Sequence, residues 1–379
     1  MSTTPNTLTK PIVLITGAAG RIGQALTEHL APTFTVIGMD VDDQPDDSDA
    51  HTWIHCDLTS DESVATAIRK VRSLPTEEPG DTPKIAAVVH LAAYYDFSGE
   101  SSDLYDELTV RGTRRLLEHL KSVPVEQFIF TSSLLVMKPD DEHRLHEWDA
   151  VDAEWEYPKS KIRAERVIRE HAGEIPYVIL RIAGVYDDVC HSIPLSQQIA
   201  RIYEKRMTSF VFPGDKQHGQ AMIHMDDLMT CIQSAIAARN KLAPTEMFLI
   251  AEADLMSYAE LQEQLGSLIH GKWWPTISIP KSLAKAGAWL QEHLTAEDDG
   301  PFIRPWMVDL ADDHYEVDLT HARNALSWEP VRQLRHTLPM MMGRFHADPE
   351  GWYEEHGLEF PETVEFGNWK PTGLQATPY

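Results

Sequence analysis

A doubly wound α/β fold, a parallel sheet with helices on both faces and a smaller α+β part beside it, is predicted by three features of the chain. Short apolar runs alternate with amphipathic helical stretches through the first half. The first of these runs, Ile12 to Ile15, passes directly into the glycine-rich turn TGAAGRIG at Thr16 to Gly23 and then into the helix-like QALTEHLA. From about Gly184 the alternation weakens, and SFVFPGD, MFLIAEA and TISIP stand between helical stretches, which marks a smaller, discontinuous second domain.

Strands of the main sheet are expected at Ile12 to Thr16, Thr35 to Met39, Thr52 to Cys56, Ile85 to Leu91, Gln127 to Ser132 and Tyr177 to Arg181. With helices between them this is a Rossmann sheet. Its first turn has a physical reading. Gly17 permits a tight strand-to-helix turn, Gly20 removes a side chain where backbone meets a pyrophosphate, and Gly23 lets helix pack closely on strand. Arg21 and Ile22 open the helix, whose free N–H groups face the phosphates. The second strand ends at Asp40, where a carboxylate accepts from ribose hydroxyls. No Arg or Lys follows in VDDQPDDSDA, so a 2′-phosphate would face Asp40, Asp42 and Asp43 without a cation. NAD is therefore expected over NADP. The loop does not fit calcium, because an EF-hand counted from Asp40 would need Gly and Glu where Pro45 and His51 stand.

Downstream, YPKSK places Tyr157 and Lys161 four residues apart, on one face of a helix. Proton transfer to an alcohol oxygen by a phenol requires its pKa of ~10 to fall, and a nearby ammonium does that. The pair points to nicotinamide-dependent oxidoreductase chemistry.

These motifs together resemble the extended short-chain dehydrogenase/reductase family, also called the NAD-dependent epimerase/dehydratase family. The resemblance runs over roughly residues 11 to 330. It rests on TGAAGRIG, CDLTS at Cys56 to Ser60, HLAA at His90 to Ala93, FIFTSS at Phe128 to Ser133, the Tyr157/Lys161 pair, LRIAGVY at Leu180 to Tyr186, IHMDDL at Ile223 to Leu228 and DLTHARNALSWEP at Asp318 to Pro330. The resemblance implies that Asp57 and Leu58 contact adenine, that Leu91, Ala92 and Ala93 line the cofactor, and that Ser133 holds the substrate oxygen. Tyr95 and Tyr186 become substrate-facing candidates. Thr131 and Ser132 are expected to turn to the sheet or cofactor.

The chain departs from the family at two places. Thr109 stands in TVRGT where many members carry an Asn that supports a water-linked proton path to the lysine. Gly184 stands where nucleotide-sugar enzymes place an Asn before Val-Tyr. The segment YYDFSGE after HLAA looks more like hydroxysteroid dehydrogenase or dihydroflavonol reductase relatives. The expected function is NAD-dependent hydride transfer on a secondary alcohol or ketone, with Tyr157 as acid/base. The alternatives are a nucleotide-sugar epimerase or dehydratase, and a non-catalytic dinucleotide-sensing protein.

Residues 11–183 with about 226–250 are expected to form the NAD-binding domain, 184–225 with about 251–330 the substrate-binding domain, and 331–379 a C-terminal extension. Rich in Pro, Gly and aromatic residues, PEGWYEEHGLEFPETVEFGNWKPTGLQATPY is read as an extended arm packed on the core or on the neighbouring subunit of a homodimer.

With 379 residues and 42% apolar content the chain can bury a large core. Its 59 acidic against 33 basic residues, net −26, argue against nucleic acid and anionic membrane surfaces as partners. MSTTPNTLTKP lacks an apolar signal core, and no uncharged apolar run reaches ~18 residues, so a cytoplasmic enzyme without a membrane span is expected. Cys56, Cys190 and Cys231 lack metal or disulfide spacing and are read as reduced, buried residues. His51, His55, His218 and His224 lack metal spacing, and His224 with Asp227 reads as a hydrogen-bonded domain junction.

Overall fold

The computed structural model describes residues 10–76, 81–96, 100–294 and 305–361. In chain order the first half contains β1 (Ile12–Thr16), α1 (Arg21–Leu30), β2 (Thr35–Asp40), β3 (Thr52–His55), α2 (Asp61–Arg72) and β4 (Ile85–His90). A π-helical segment, Tyr105–Arg111, then runs into α3 (Gly112–Leu120), followed by β5 (Phe128–Ser133), β6 (Asp140–Leu145), α4 (Glu156–His171), β7 (Tyr177–Ile182) and β8 (Gly184–Tyr186). The second half holds α5 (Ile193–Tyr203), β9 (Val211–Pro213), β10 (Met222–His224), α6 (Met225–Ala238), β11 (Thr245–Ile250) and α7 (Tyr258–His270). It closes with β12 (Ile277–Ile279), α8 (Lys281–Leu294), α9 (Pro305–Asp309), β13 (Tyr315–Val317), α10 (Thr320–Leu326), α11 (Leu334–Ala347) and α12 (Pro349–Glu355).

Seven strands make one parallel sheet in the order β11-β7-β5-β4-β1-β2-β3. Runs such as IVLIT and IAAVVH are buried along their whole length because helices cover both faces. Period-two alternation divides β1 between two cores. Val13 and Ile15 join Leu26 of α1 and Ile232 of α6, while Ile12 and Leu14 join Ile68 of α2 and Leu116 of α3. The order reverses between β1 and β4, so a crevice opens at their carboxyl ends, where doubly wound sheets bind ligands.

The seventh strand, β11, contains MFLI and belongs to the main sheet, beside β7. β9 with β12, and β8 with β10, form short parallel pairs outside it. A third core gathers Tyr186, Leu195 and Ile199 with Leu338, Phe345, Trp352 and Tyr353.

That last core corrects one expectation. Residues 349–355, read from sequence as part of an extended arm, form the helix α12. Asp348 caps it by accepting from the Gly351 N–H at 3.0 Å, and Pro349 sits in the first turn, where no amide is needed. Trp352 and Tyr353 then pack on Phe345 at ring distances of 5.0 and 6.4 Å. Phe360 reaches the same core, whereas Phe366 and Trp369 lie outside the described residues.

Candidate active site

The glycine turn is tight from within. Gly17 has φ +74°, and a Cβ there would lie 2.8 Å from the Ala92 nitrogen. A Cβ on Gly23 would fall 2.2 Å from the Gly17 carbonyl oxygen. At Gly20 the nearest atom would be the Gly17 oxygen at 3.4 Å, so the chain itself does not demand glycine there. Gly20 heads α1 without a side-chain cap and without an acid in the first turn, which leaves first-turn N–H groups for an anionic ligand.

Asp40, half-buried at the end of β2, ties this turn down. Its Oδ2 accepts from Ala19 N–H at 2.9 Å, and its Oδ1 from Val41 N–H at 2.7 Å. Asp57 accepts from the Thr59 amide at 2.8 Å and hydroxyl at 2.7 Å. The Leu58 side chain is buried, and its carbonyl receives Arg115 at 3.2 Å. Leu91, Ala92 and Ala93 are half-buried beside the turn. Leu91 N–H donates to the Thr16 carbonyl at 3.1 Å.

The Arg21 guanidinium extends to the loop after β8, 2.6 Å from His191 Nδ1 and 3.8 Å from Asp187. The same ring nitrogen lies 2.5 Å from Asp187 Oδ2. One nitrogen cannot accept from Arg21 and donate to Asp187 at once, so we place its proton toward Asp187. Burial pushes the Asp187 carboxyl up, but hydrogen bonds from His191 outweigh it and bring its pKa to about 2.

Across the switch point, a buried polar chain links β1, β4 and the π-helical segment. Thr113 donates its hydroxyl proton to the Thr109 carbonyl at 2.6 Å, so its oxygen must accept from His90 Nε2–H at 2.9 Å. His90 Nδ1 then accepts from the Thr16 hydroxyl at 2.6 Å. The ring is neutral. Burial, seconded by Lys161, lowers its pKa to about 3. The Thr109 hydroxyl oxygen accepts from Tyr94 N–H at 3.0 Å, which anchors the loop after β4.

β5 ends in Thr131, Ser132 and Ser133, and the three point to different partners. The Thr131 hydroxyl donates to the His90 carbonyl at 3.3 Å, and its own carbonyl receives Lys161 Nζ at 2.9 Å. Ser132 turns away and donates to Glu165 at 2.7 Å. Ser133 accepts from Leu135 N–H at 3.2 Å, and its hydroxyl lies close enough to the Tyr157 phenol to lower that group's pKa. It therefore both caps the following turn and faces the site.

Tyr157 and Lys161 share one face of α4, with Lys161 Nζ 5.6 Å from the Tyr157 ring centre and 4.9 Å from that of Phe130. Burial holds the Tyr157 phenol above its ordinary range, and the Ser133 hydroxyl pulls it only partly back. Burial also draws Lys161 from 10.5 to about 7, against the pull of Glu165. Each group is driven toward its neutral form because each is desolvated. A lowered Tyr157 pKa thus requires positive charge beyond that of Lys161.

Several supporting residues carry no sequence motif of their own. Glu165, one turn beyond Lys161, accepts from Ser132, from Arg181 at 2.8 and 3.0 Å, and from Arg169 at 2.9 Å. Arg181, a charge inside the apolar run YVILRIAG, could have been flagged, whereas Glu165 stands among the charges of KIRAERVIRE and could not. Tyr95 lies edge-on to Tyr157 at 4.7 Å, and Trp155 lies 5.5 Å from the same ring. Tyr186 is not at a ligand surface: it is fully buried and donates its hydroxyl to Glu252 at 2.8 Å. The strand β8 carries its side chain inward, where a third core claims it. At the junction read from His224 and Asp227, His224 lies 3.2 Å from Asp188 and from Arg332, and Asp227 accepts from the Val331 and Arg332 amides at 3.0 and 2.8 Å. All three cysteines are buried and unpaired.

Residues 13–251 match the model of the NAD dependent epimerase/dehydratase family. The chain belongs to that family. Within it, UDP-glucose 4-epimerase of Vibrio cholerae is 24% identical over 262 residues, 65% of this chain and 73% of the relative. An N-acetyl-alpha-D-glucosaminyl-diphospho-ditrans,octacis-undecaprenol 4-epimerase of Escherichia coli O157:H7 is 29% identical over 170 residues, 43% of this chain. That match spans 44% of the relative's length. Among solved structures, a UDP-glucuronic acid 4-epimerase from Bacillus cereus, in complex with UDP-glucuronic acid and NAD, superposes with a TM-score of 0.64 at 18% identity, over 89% of this chain and 99% of its own. This epimerase/dehydratase chain therefore shares the NAD-dependent fold.

NAD fits the residues present. The tight Gly17/Gly23 turn, the side-chain-free Gly20, the uncapped start of α1 and the Asp40 carboxylate together form a cradle at the switch point.

Proposed function

We propose that the protein interconverts a secondary alcohol and its ketone, as a net reaction or as one step of an epimerisation, with Tyr157 moving the proton. The observation that carries this is the closeness of the Ser133 hydroxyl to the Tyr157 phenol while Lys161 stands behind that ring, all at the carboxyl ends of β4 and β5. Ser133 orients the substrate oxygen, and Tyr157 gives or takes its proton. Lys161, held on the Thr131 carbonyl, lies on the cofactor side of the same helix face. NAD, when bound, accepts or returns the hydride and brings positive charge in its oxidised form. Three buried, unpaired cysteines and an acidic composition support a cytoplasmic setting.

A second reading, epimerisation or dehydration of a nucleotide sugar, draws support from the names of the curated relatives. It uses the same three residues.

Tyr157→Phe removes one hydroxyl and keeps the ring, so fold and NAD affinity should survive while turnover falls at least ~10²-fold. Lys161→Met should weaken NAD binding as well, and any remaining activity should move to higher pH. The measurement is NADH formation from a panel of secondary alcohols alongside NAD titration. Unchanged turnover in Tyr157→Phe would overturn the assignment.

A further inference from the structure

Aromatic rings from three segments gather at and beside Tyr157. Tyr95, in the loop after β4, meets it edge-on at 4.7 Å with planes 75° apart. Trp155, the residue that heads α4, lies 5.5 Å from it. Trp306, on α9, lies 5.0 Å from Trp155 with planes 31° apart.

Two of these rings, Tyr95 and Trp306, sit on segments held by groups outside the acid/base machinery. The Tyr95 loop is fixed on one side by Tyr94, whose amide donates to Thr109 at 3.0 Å and whose ring packs on Tyr105 at 4.8 Å. On the other side the Tyr105 hydroxyl donates to the Asp96 carbonyl at 3.0 Å. Tyr95 is nevertheless 46% exposed, so an anchored aromatic surface faces outward beside the proton-transfer group. α9 is pinned to α8 through Asp309, whose carbonyl receives Lys281 and whose carboxylate receives Lys285, each at 2.5 Å. Trp306 also lies beyond residues 13–251, so this ring comes from outside the stretch that the family model matches.

Anchored aromatic faces gain by covering apolar area and offer few hydrogen bonds to a hydroxyl-rich group. The ground beside the wall is acidic. A cleft of about 370 Å³ is lined by Glu156, the residue between Trp155 and Tyr157, with Asp103 and Asp106, against the cation Arg163, which already lies 3.8 Å from Glu156. A diphosphate entering there would be repelled.

We propose that Tyr95, Trp155 and Trp306 hold the non-reacting part of the substrate, and that this part is an uncharged apolar ring system whose carbinol carbon reaches Tyr157. The proposal rests on the acid/base reading of Tyr157 and names the substrate class for that site.

The test uses the full chain with NAD, with 1-indanol and 1-tetralol as probes and UDP-glucose as the contrast. The ring alcohols should give NADH, and their ketones should raise the melting temperature of the NAD-loaded protein more than UDP-glucose does. Trp306→Leu, which keeps an apolar side chain for packing, should raise KM for the ring alcohols at least ~10-fold and lower kcat by less, the signature of lost uniform binding. Tyr95→Ala, at a position 46% exposed, should do the same. The wall assignment fails if neither alcohol is oxidised and neither ketone stabilises, if UDP-glucose is the stronger ligand, or if both variants leave KM unchanged. Tyr157→Phe in the same assay separates the two readings: retained turnover there overturns the acid/base role, while the KM shifts still report on the wall.

Discussion

Asp40 shows how much one side chain can decide. Its oxygens organise the glycine turn through Ala19 N–H and the start of the next loop through Val41 N–H, so the carboxylate is fixed before any ligand arrives. A ribose diol can still donate to its remaining lone pairs, whereas a 2′-phosphate would meet its charge together with Asp42 and Asp43. NAD should therefore bind more tightly than NADP, and Asp40→Ala should narrow the gap. Asp40→Asn, which keeps an acceptor for the turn, should retain more NAD affinity than Asp40→Ala. Equal affinities for NAD and NADP in the unaltered protein, measured by titration calorimetry, would contradict this reading. At Tyr157 and Lys161 the same scale carries a different lesson. Spacing places the two on one face, but burial, not their proximity, sets both pKa values in the ligand-free site.

At the scale of elements, Glu252 joins three of them. It follows β11, accepts from the Tyr186 hydroxyl of β8 at 2.8 Å, and accepts from the Leu334 amide that opens α11 at 2.9 Å. Burial, with Asp254 and Asp227 adding to it, raises its carboxyl from 4.5 to about 8 despite those hydrogen bonds. The folded chain then holds a proton that the unfolded chain releases near 4.5. From about pH 4.5 to about 8 the folded state binds more protons, so this group's contribution to stability is present below 4.5 and declines as pH rises. One proton corresponds to ~1.4 kcal/mol per pH unit. Glu252→Gln should remove that slope and gain relative to the unaltered chain as pH rises. Urea unfolding of both proteins at several pH values checks it; a stability difference independent of pH would show that Glu252 is ionised when folded.

Over the whole molecule, the C-terminal residues are part of the structure's third core and not an appendage. Trp352 and Tyr353 of α12 pack with Phe345 of α11 and Tyr203 of α5, and Glu355 lies 2.9 Å from His191, whose loop holds Arg21 of the glycine turn. Trp352→Ala should accordingly cost about 3–5 kcal/mol through lost burial and the cavity left behind. Denaturant unfolding should show a lower midpoint with the slope unchanged. A cost below ~1 kcal/mol would mean that α12 unfolds separately from the remainder.

Local rules made the main sheet legible. Six of its strands could be placed from apolar runs, because a strand covered on both faces must be apolar along its length, and the glycine turn is written in consecutive residues. The Tyr157/Lys161 pair was legible for the same reason, since four residues of helix fix a shared face. What the sequence could not assign is whatever depends on elements far apart in the chain. The inward turn of Tyr186 is decided by α11 meeting β8, and the aromatic wall by α9 bringing Trp306 to Trp155. The helical state of residues 349–355 was missed because Pro and Gly argue locally for a loop. An Asp348 cap and the burial of Trp352 and Tyr353 outweigh that preference once the third core exists. Sequence by itself determined six strands of the sheet, the glycine turn and the shared helix face of Tyr157 and Lys161, which are set by neighbours in the chain. Tertiary structure alone decided which side chains are desolvated, which rings meet and which carboxyl keeps its proton, because burial is a property of packed surfaces and not of any one segment.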